Sequence, residues 1–337
     1  MDQKKAMAEM EAYIQKFPEN LLHAVEIGKK AIENFKSAKV NKVAIVGLGG
    51  SGIGGKVISD IVWDLCQAPI HFVQDYEIPA WVDEQTLFIA VSYSGNTEET
   101  LSALDLALAK NASVTCITSG GKLAEIAAAK NLNCITIPGG QPPRTSFGFN
   151  AAQNLFVLDA FGLIPNSDYP NQLIAAGELL RENQEKIKEE AREIAKKIAG
   201  SLPVIYSSNR IEGSVVRLRQ QINENAKQLC WHHVLPEMNH NELVGWAGAP
   251  NNIAVIFIHS PEDHPKTVKR QMLTVDIIKK HARNIIDLHP RGESRIERIY
   301  WLIHFGDWIS YYLAELNRVD PIEIGVIDYF KAELGKS

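Results

Sequence analysis

Short apolar runs alternate with amphipathic segments along most of the chain. Five runs in the first half are rich in β-branched residues and are bounded by Gly, Pro, Ser or Asn: KVAIVGLGG, IHFVQDY, TLFIAVSYS, SVTCITSG and NCITIPGG. Helical patterns separate most of them, and a charged amphipathic helix, MDQKKAMAEMEAYIQKF, precedes the first. This alternation predicts repeated βαβ units and a parallel sheet.

The composition changes between residues 166 and 200. Strong helix formers with charges at i,i+4 spacing dominate this segment, as in GELLRENQEKIKEEAREIAKKIAG, so we predict a helical connector. A second series follows, with runs LPVIYSSNR, NNIAVIFIHS and ARNIIDLHP and a long helix, ESRIERIYWLIHFGDWISYYLAEL. The pattern predicts an N-terminal module (residues 1–165), a connector (166–200) and a C-terminal module (201–337).

An aromatic stripe runs along the long helix near the end of the chain. Its members recur at alternating spacings of four and three residues: Trp301, Phe305, Trp308 and Tyr312. Side chains at this spacing share one helix face. We expect core packing or a subunit interface there rather than a ligand site.

Composition and charge exclude several classes of protein. The 337 residues are 45% hydrophobic, and 35 basic and 40 acidic residues are mixed throughout to a net charge of −5. We see no basic stripe for nucleic acid, no apolar run long enough to span a membrane and no apolar signal segment. The four cysteines form no CxxC pair, which favours reduced thiols in a cytoplasmic protein.

The glycine-rich turn VGLGGSGIGGKV after the first strand allows three interpretations. Its GxGxxG spacing, with Asp75 at a later strand end, could indicate a dinucleotide site. A P-loop is excluded because Val57 stands where a Ser or Thr should bind magnesium. Alternatively, Gly50, Ser51 and their neighbours form a turn whose N–H groups hold an anion at a helix N-terminus.

A second donor-rich turn, SYSGNT, follows another strand. Its hydroxyls could cap a new helix or bind an anion, and the residues alone leave both open. Because the carboxyl ends of parallel strands lie at one edge of a sheet, this turn and the glycine turn would converge. Ser92, Ser94 and Thr97 are therefore candidate phosphate ligands together with Ser51.

Catalysis would need a base, an acid and a group that stabilises an anion. The loop GGQPPRTSFGFN presents Arg144 behind two prolines. The helix GSVVRLRQQINENAKQL has an apolar face ending in Ala226 and Leu229, with Glu224 on the opposite side. The stretch HHVLPEMNHNELVGW is rich in His and Glu, but its irregular spacing argues against zinc.

The pair GLGGSGIGG and SYSGNTEET resembles the sugar isomerase domain family, in which a Ser/Thr loop holds the phosphate of a phosphosugar. The resemblance implies an α/β fold of two consecutive doubly wound parallel-sheet sugar isomerase modules joined by the helical connector. It also implies that the phosphate ligands are Gly50, Ser51, Ser92, Ser94 and Thr97.

Further motifs, QINENAK, LPEMNHNELVGW and IDYFKAEL, are similar to those of bifunctional phosphoglucose/phosphomannose isomerases. By position, the resemblance makes Glu224 the catalytic base and His240 the ring-opening histidine. It makes Lys331 the C-terminal lysine and Arg144 the group that stabilises the intermediate. It further implies a homodimer in which His240 reaches the partner's site, and no metal or organic cofactor.

The implied reaction is aldose–ketose isomerisation of glucose 6-phosphate and mannose 6-phosphate with fructose 6-phosphate through a cis-enediolate. Such proton transfers need only an acid, a base and a cation. Two other functions stay open on sequence: a phosphosugar-sensing regulator without catalysis, and a nicotinamide-dependent oxidoreductase that uses the GxGxxG turn and Asp75.

Overall fold

Two helices precede the first strand. The structure, a computed structural model, describes residues 3–335. Helices α1 (Gln3–Gln15) and α2 (Phe17–Ile32) come first, so the predicted N-terminal helix is present. α2 packs on helices from both halves of the chain and thereby helps to join them.

The first sheet is entirely parallel, as the alternating pattern predicted. Its strands are β1 (Lys42–Val46), β2 (Ile70–Val73), β3 (Thr86–Ser92), β4 (Ser113–Thr118) and β5 (Asn133–Thr136), in the order β2-β1-β3-β4-β5. Its helices are α3 (Gly49–Ile61), α4 (Glu98–Ala109), α5 (Gly121–Ala129) and, after a 3-10 turn at Pro143–Ser146, α6 (Phe147–Ala160).

The second sheet is also parallel and is preceded by α7 (Tyr169–Glu182) and α8 (Gln184–Ile198). Its strands are β6 (Leu202–Ser208), β7 (Trp231–Leu235), β8 (Ile253–Ile258) and β9 (Asn284–Leu288), in the order β7-β6-β8-β9. Its helices are α9 (Glu212–Ala226), α10 (Glu242–Gly245), α11 (Pro265–Ile278), α12 (Arg295–Asn317) and α13 (Gly325–Leu334). Three 3-10 turns complete it, at Asn209–Ile211, Glu237–His240 and Trp246–Gly248.

Alternate residues of each strand face opposite sides, so each sheet has two apolar faces. The inner faces, together with α3, α6, α9 and α12, form one hydrophobic core that continues from the first half into the second. Smaller clusters lie on the outer face of the first sheet, and on that of the second beneath α10 and α11. The aromatic stripe of α12 is buried in the shared core, which confirms the packing interpretation.

Helices α3 and α9 pack antiparallel at the centre of this core. A Cβ on Gly213, near the start of α9, would lie 2.8 Å from the backbone nitrogen of Val57 midway along α3, so glycine permits this close approach. The end of α9 correspondingly lies beside the start of α3. The carboxyl edge of the first sheet therefore adjoins the amino edge of the second.

Two features of the second half depart from the sequence predictions. α9 ends at Ala226 because Lys227 adopts a left-handed conformation (φ 51°), and Leu229, predicted on the apolar helix face, is 80% exposed. β7 was not predicted, because WHHVL lies at the sheet edge and mixes histidines with apolar residues. Within residues 3–335, no helix is long and apolar enough to cross a membrane.

Candidate active site

Arg144 lies at the junction of the two sheets and is almost completely buried. Its Nη1 donates to Glu224 Oε1 at 2.8 Å, and its Nε donates to Asn225 Oδ1 at 2.8 Å. Its Nη2 donates to the carbonyls of Pro321 and Ile322. Burial lowers the pKa of the guanidinium and the Glu224 carboxylate opposes this shift, but arginine remains charged because its ordinary pKa is so high.

Glu224, in the last turn of α9, uses one carboxylate oxygen for Arg144. Its side chain is 31% exposed. Among the described residues, no hydrogen-bond donor contacts the other oxygen, Oε2. The sequence pattern alone predicted a solvated helix position for Glu224; the tertiary fold pairs one of its carboxylate oxygens with Arg144 and leaves the other without a donor.

A buried ion pair between Arg217 and Asp307 contacts the backbone of Arg144. Arg217 Nη2 donates to both carboxylate oxygens of Asp307, at 2.9 and 3.0 Å, and to the backbone carbonyl of Arg144 at 3.1 Å. Gln221 also donates to Asp307. Burial raises the pKa of Asp307, and Arg217 counteracts that shift. The position of the Arg144 backbone is thus fixed by charges buried inside the shared core.

The glycine turn lies directly against the Arg144 loop. A Cβ on Gly50 would lie 3.2 Å from both the nitrogen and the Cα of Arg144, so only glycine fits without a shift. Gly50 and Ser51 lie in the first turn of α3; the Ser51 N–H donates to the Leu48 carbonyl at 3.1 Å, whereas the Gly50 N–H has no acceptor within the helix. Leu48, at the N-cap, supplies no capping side chain. This helix terminus is suited to an anion next to Arg144.

The Ser/Thr turn lies at the carboxyl edge of the same sheet. Thr97 occupies the N-cap position of α4, yet its hydroxyl makes no capping bond and lies 2.9 Å from the Ser92 hydroxyl. Ser92 is fully buried, whereas Ser94 is exposed and accepts from the backbone N–H of Asn96 at 3.2 Å. Thr97 thus marks the helix start without capping it through its side chain.

Tyr93 joins the two turns to the Arg144 loop. Its backbone N–H donates to Ser51 Oγ at 3.0 Å, and its hydroxyl accepts from the backbone N–H of Gln141 at 3.1 Å. The Gln141 side chain in turn donates to Ser146 Oγ at 2.8 Å. One tyrosine therefore fixes the glycine turn, the Ser/Thr turn and the Arg144 loop relative to one another.

The segment before α13 closes the site from the C-terminal side. Lys227 Nζ donates to the carbonyls of Glu224 and Glu323, each at 2.7 Å. Burial lowers the pKa of Lys227, and the nearby Arg144 adds to that effect. Because Pro321 and Ile322 accept from Arg144, the chain passes across the site immediately before α13 begins.

His240 lies far from this constellation within one chain. Glu224 is at the end of α9, close to the amino end of β7, whereas His240 follows the carboxyl end of that strand. A five-residue strand spans about 16 Å, so the two residues lie at opposite edges of the second sheet. His240 is exposed on the 3-10 turn Glu237–His240.

The segment that carries His240 is held by a polar network. Glu242 accepts from the Tyr206 hydroxyl and is paired with His233 Nδ1 at 2.7 Å. The Tyr206 hydroxyl also accepts from Trp246 Nε1 at 3.0 Å. The other histidine of this stretch, His232, is directed at Glu212 instead. In residues 3–335, no three His, Cys, Asp or Glu side chains lie close enough together to hold a metal ion.

Lys331 lies on α13, which has no buried residue. The helix begins at Gly325, two residues after the Glu323 carbonyl that accepts from Lys227. Lys331 is six residues further on and is exposed. The structure thus places Lys331 on a helix leaving the site and joins Arg144, Glu224 and the phosphate candidates, but it does not bring His240 to them.

Two family models match the chain. The SIS domain model matches residues 36–163, and the model described as bacterial phospho-glucose isomerase C-terminal SIS domain matches residues 187–334. A bifunctional phosphoglucose/phosphomannose isomerase of Caldicellulosiruptor bescii is 39% identical over 96% of this chain and 98% of its own. The chain belongs to the bifunctional phosphoglucose/phosphomannose isomerase family.

Another relative with the same name, from Thermoplasma volcanium, is 37% identical over 90% of this chain and 94% of its own length. The structure of a hypothetical protein of Thermus thermophilus superposes with a TM-score of 0.76 at 17% identity, covering 99% of this chain and 94% of that one. This structural similarity concerns the fold, and it agrees with the predicted pair of parallel-sheet modules.

Membership of the phosphoglucose/phosphomannose isomerase family also bears on the dinucleotide hypothesis. Asp75, on which that hypothesis depends, is exposed and accepts from the backbone N–H of Tyr76 at 2.7 Å. The family supports an isomerase rather than an oxidoreductase or a sensor.

Sequence reasoning missed several residues of this family member's site. Tyr93 and Gln141 organise the loops, and Asn225 and Lys227 contact Arg144 and Glu224. Asn225 and Lys227 lie within the NENAK motif, so that motif was the available signal. No sequence signal identified Tyr93, because a tyrosine after a strand is indistinguishable from a core residue.

Proposed function

We propose that the chain is an aldose–ketose isomerase that interconverts glucose 6-phosphate and mannose 6-phosphate with fructose 6-phosphate. The observation that carries the proposal is the Arg144–Glu224 pair, 2.8 Å apart, beside the open N-terminus of α3. The pair brings together a carboxylate with one available oxygen, a buried cation and an anion site. The relatives' shared name supports the choice of substrate.

The phosphate would bind between the glycine turn and the Ser/Thr turn. The backbone N–H of Gly50 and the hydroxyls of Ser51, Ser94 and Thr97 are suitable donors, and hydrogen bonds to an anion are stronger than neutral ones. Ser92 is buried, so it would act by orienting the Thr97 hydroxyl through their 2.9 Å contact. Tyr93 keeps both turns in register with the sugar end of the site.

Ring opening would use His240 from a second copy of the chain. One chain holds His240 and Glu224 at opposite edges of its second sheet, so a site containing both requires a partner subunit. A histidine titrates near neutrality and can move a proton between the ring oxygen and the anomeric hydroxyl. Lys331, on the helix that leaves the site, would assist this step.

Isomerisation follows once the ring is open. The Glu224 carboxylate removes the proton from the carbon beside the carbonyl, and the electron pair moves onto the carbonyl oxygen to give a cis-enediolate. Arg144 stabilises the developing negative charge, and Asn225 and the carbonyls of Pro321 and Ile322 keep its guanidinium in place. Glu224 then returns the proton to the former carbonyl carbon, while the hydroxyl proton on the other carbon passes to the former carbonyl oxygen, which leaves the carbonyl on the other carbon.

The enediolate has no stereocentre at C2, so reprotonation from either face gives glucose 6-phosphate or mannose 6-phosphate. The intermediate itself therefore permits both products, and selectivity depends on how the pocket holds C1 to C3. We propose that both aldoses are substrates.

Incubation of fructose 6-phosphate with the protein, followed by separate enzymatic measurement of the two aldoses, tests the function. We expect both products, and at least about a hundredfold slower formation of each with the Glu224→Gln variant. Formation of glucose 6-phosphate alone, with mannose 6-phosphate neither consumed nor inhibitory, would limit the activity to phosphoglucose isomerase. No product from correctly folded protein would refute the isomerase proposal.

A further inference from the structure

The C-terminal helix exposes an apolar face next to the candidate active site. Val326, Tyr329 and Phe330 are 81%, 68% and 62% exposed, and Ile327 lies beside them. At 100° per residue, these four side chains cover one side of α13. We call this surface the α13 face. Large apolar side chains clustered in this way mark an interaction site.

A second exposed apolar surface lies on the outer side of the second sheet. Val268, Met272, Leu273 and Ile277 form a stripe along α11, and Val244 on α10, 78% exposed, adjoins the same layer. The opposite side of α11, including Ile278, packs on the outer face of the sheet. We call the exposed side, with Val244, the α11 face.

The α11 face adjoins His240. Asn239, the neighbour of His240, donates to Thr274 Oγ1 of α11 at 2.8 Å, and Arg270 contacts the Asn239 side chain at 3.5 Å. Val244 follows His240 by four residues. A subunit that delivers His240 to its partner's site must therefore bring its α11 face close to that site, from which the partner's α13 emerges.

The two faces cannot meet within one chain. α13 begins beside the end of α9, on the inner side of the second sheet, whereas α11 packs on the outer side. The ten-residue helix α13 is only about 15 Å long, and it starts at the site. The sheet and its helices separate α13 from the α11 face of its own chain.

We propose that α13 of each copy docks on the α11 face of the other copy. The inference rests on the proposed dimeric site, and it adds the surface that holds the two subunits together there. By two-fold symmetry the contact forms twice, once for each active site. The area next to His240 and the helix carrying Lys331 then belong to a single interface.

Docking would also position Lys331. On the helical projection, Lys331 lies about 40° beyond Ile327, at the margin of the α13 face. When that face is covered by the partner, the lysine remains at the rim of the contact and is directed along it. The subunit that supplies His240 therefore also positions Lys331, so both candidate proton-transfer residues depend on dimerisation.

Cross-linking between differently tagged chains tests the contact. One chain carries Phe330→Cys and the other Met272→Cys or, in a parallel sample, Val244→Cys. The mixed species are purified through both tags and treated with a short bismaleimide. We expect a covalent heterodimer on a denaturing gel, with position 330 linked to position 272 or 244 by peptide mass spectrometry. Leu106→Cys, on an exposed part of α4, replaces Phe330→Cys as the matched control and should give no such product.

A dimer by sedimentation that yields neither cross-link, or one linked as strongly through the Leu106→Cys control, would overturn the docking. A monomer would overturn both the docking and the proposed dimeric site. Isomerase activity in a dimer that does not form the cross-link would support the proposed function and refute only the docking of α13 on the α11 face. A cross-link in a protein without isomerase activity would support the docking and refute the function.

Discussion

Arg144 Nη1 lies 2.8 Å from Glu224 Oε1, which joins the loop after the first sheet to the last turn of a helix in the second half. Eighty residues separate the two in sequence. The candidate base and the candidate anion-stabilising group are therefore supplied by different halves of the chain, and the predictions below test each contribution.

Replacement of Glu224 by Gln keeps the side-chain shape but removes the base. We expect kcat to fall by at least about 100-fold, with KM little changed, because general bases contribute roughly 10²–10⁴-fold. A coupled assay with fructose 6-phosphate measures both constants. Glu125→Gln, at an exposed position on α5, is the matched control and should retain full activity. Near-normal turnover in Glu224→Gln would remove Glu224 from the mechanism.

Ser94→Ala and Thr97→Ala should each raise KM for the phosphosugar by roughly 10- to 100-fold, because a charge-assisted hydrogen bond contributes about 1.5 to 3 kcal/mol. Their melting temperatures should stay close to that of the unmodified protein, since the Thr97 side chain does not cap α4. Ser102→Ala, which alters another hydroxyl on α4, is the control. Lower stability with unchanged KM would instead support a capping role.

A mixture of two inactive variants, Glu224→Gln and His240→Ala, should regain activity. In a dimer whose sites each combine Glu224 of one chain with His240 of the other, a hybrid dimer contains one intact site and one doubly altered site. After random exchange, half of the dimers are hybrids, and one of the two sites in each hybrid is intact. About a quarter of the unmodified specific activity should therefore return. If tagged chains exchange but activity does not return, each site is built within one chain.

Arg217→Met should destabilise the fold by about 3–5 kcal/mol, because it leaves Asp307 as an unpaired buried carboxylate. Both partners are buried, with side-chain exposures of 2% and 5%. The double variant Arg217→Met/Asp307→Leu should recover much of that loss. Denaturant unfolding of Arg217→Met, Asp307→Leu, the double variant and the unmodified protein gives the coupling energy. Equal destabilisation by the single and double variants would contradict this explanation.

Asp60 should make the stability depend on pH. Burial raises its pKa to about 7, although the N–H of Gly213, at 2.7 Å, and nearby Lys56 oppose the shift. An unfolded aspartate has a pKa of about 3.9, so the folded chain binds more protons between those values. The contribution of Asp60 to the free energy of unfolding therefore declines as pH rises from about 4 to about 7.

Comparison with Asp60→Asn isolates this effect from other titrating groups. The asparagine can still accept from Gly213, so its free energy of unfolding should increase relative to the unmodified protein between pH 5 and pH 8. The exposed Asp105→Asn should show no such trend. A difference for Asp60→Asn that does not vary with pH would contradict the raised pKa.

Hydrophobic periodicity predicted the central strands because each is buried on both faces and is therefore continuously apolar. It did not predict β7, whose polar residues are tolerated at a sheet edge and lie against neighbouring carboxylates. Leu229 was assigned to the helix face because periodicity alone cannot detect that Lys227 turns left-handed and ends α9.

The candidate site residues and the convergence of the two phosphate-binding turns were predicted from sequence, but the contacts that hold Arg144 and Glu224 were not. Sequence analysis did not single out Arg217 or Asp307, since only tertiary packing brings α9 and α12 together around them. The position of His240 at the opposite sheet edge from Glu224 depends on the strand that the sequence did not predict. The separation of His240 from Glu224 within one chain thus follows from topology rather than from any local pattern.

The continuous core between the two sheets limits how this protein can move. Domains that close around a ligand normally rotate about a hinge between separate cores. Here α6 and α12 lie in one core shared by both halves, so a hinge rotation would have to break apolar packing throughout the centre of the molecule. The shared core therefore keeps Arg144 and Glu224 in one fixed frame, and we expect any movement on ligand binding to be confined to segments outside that core.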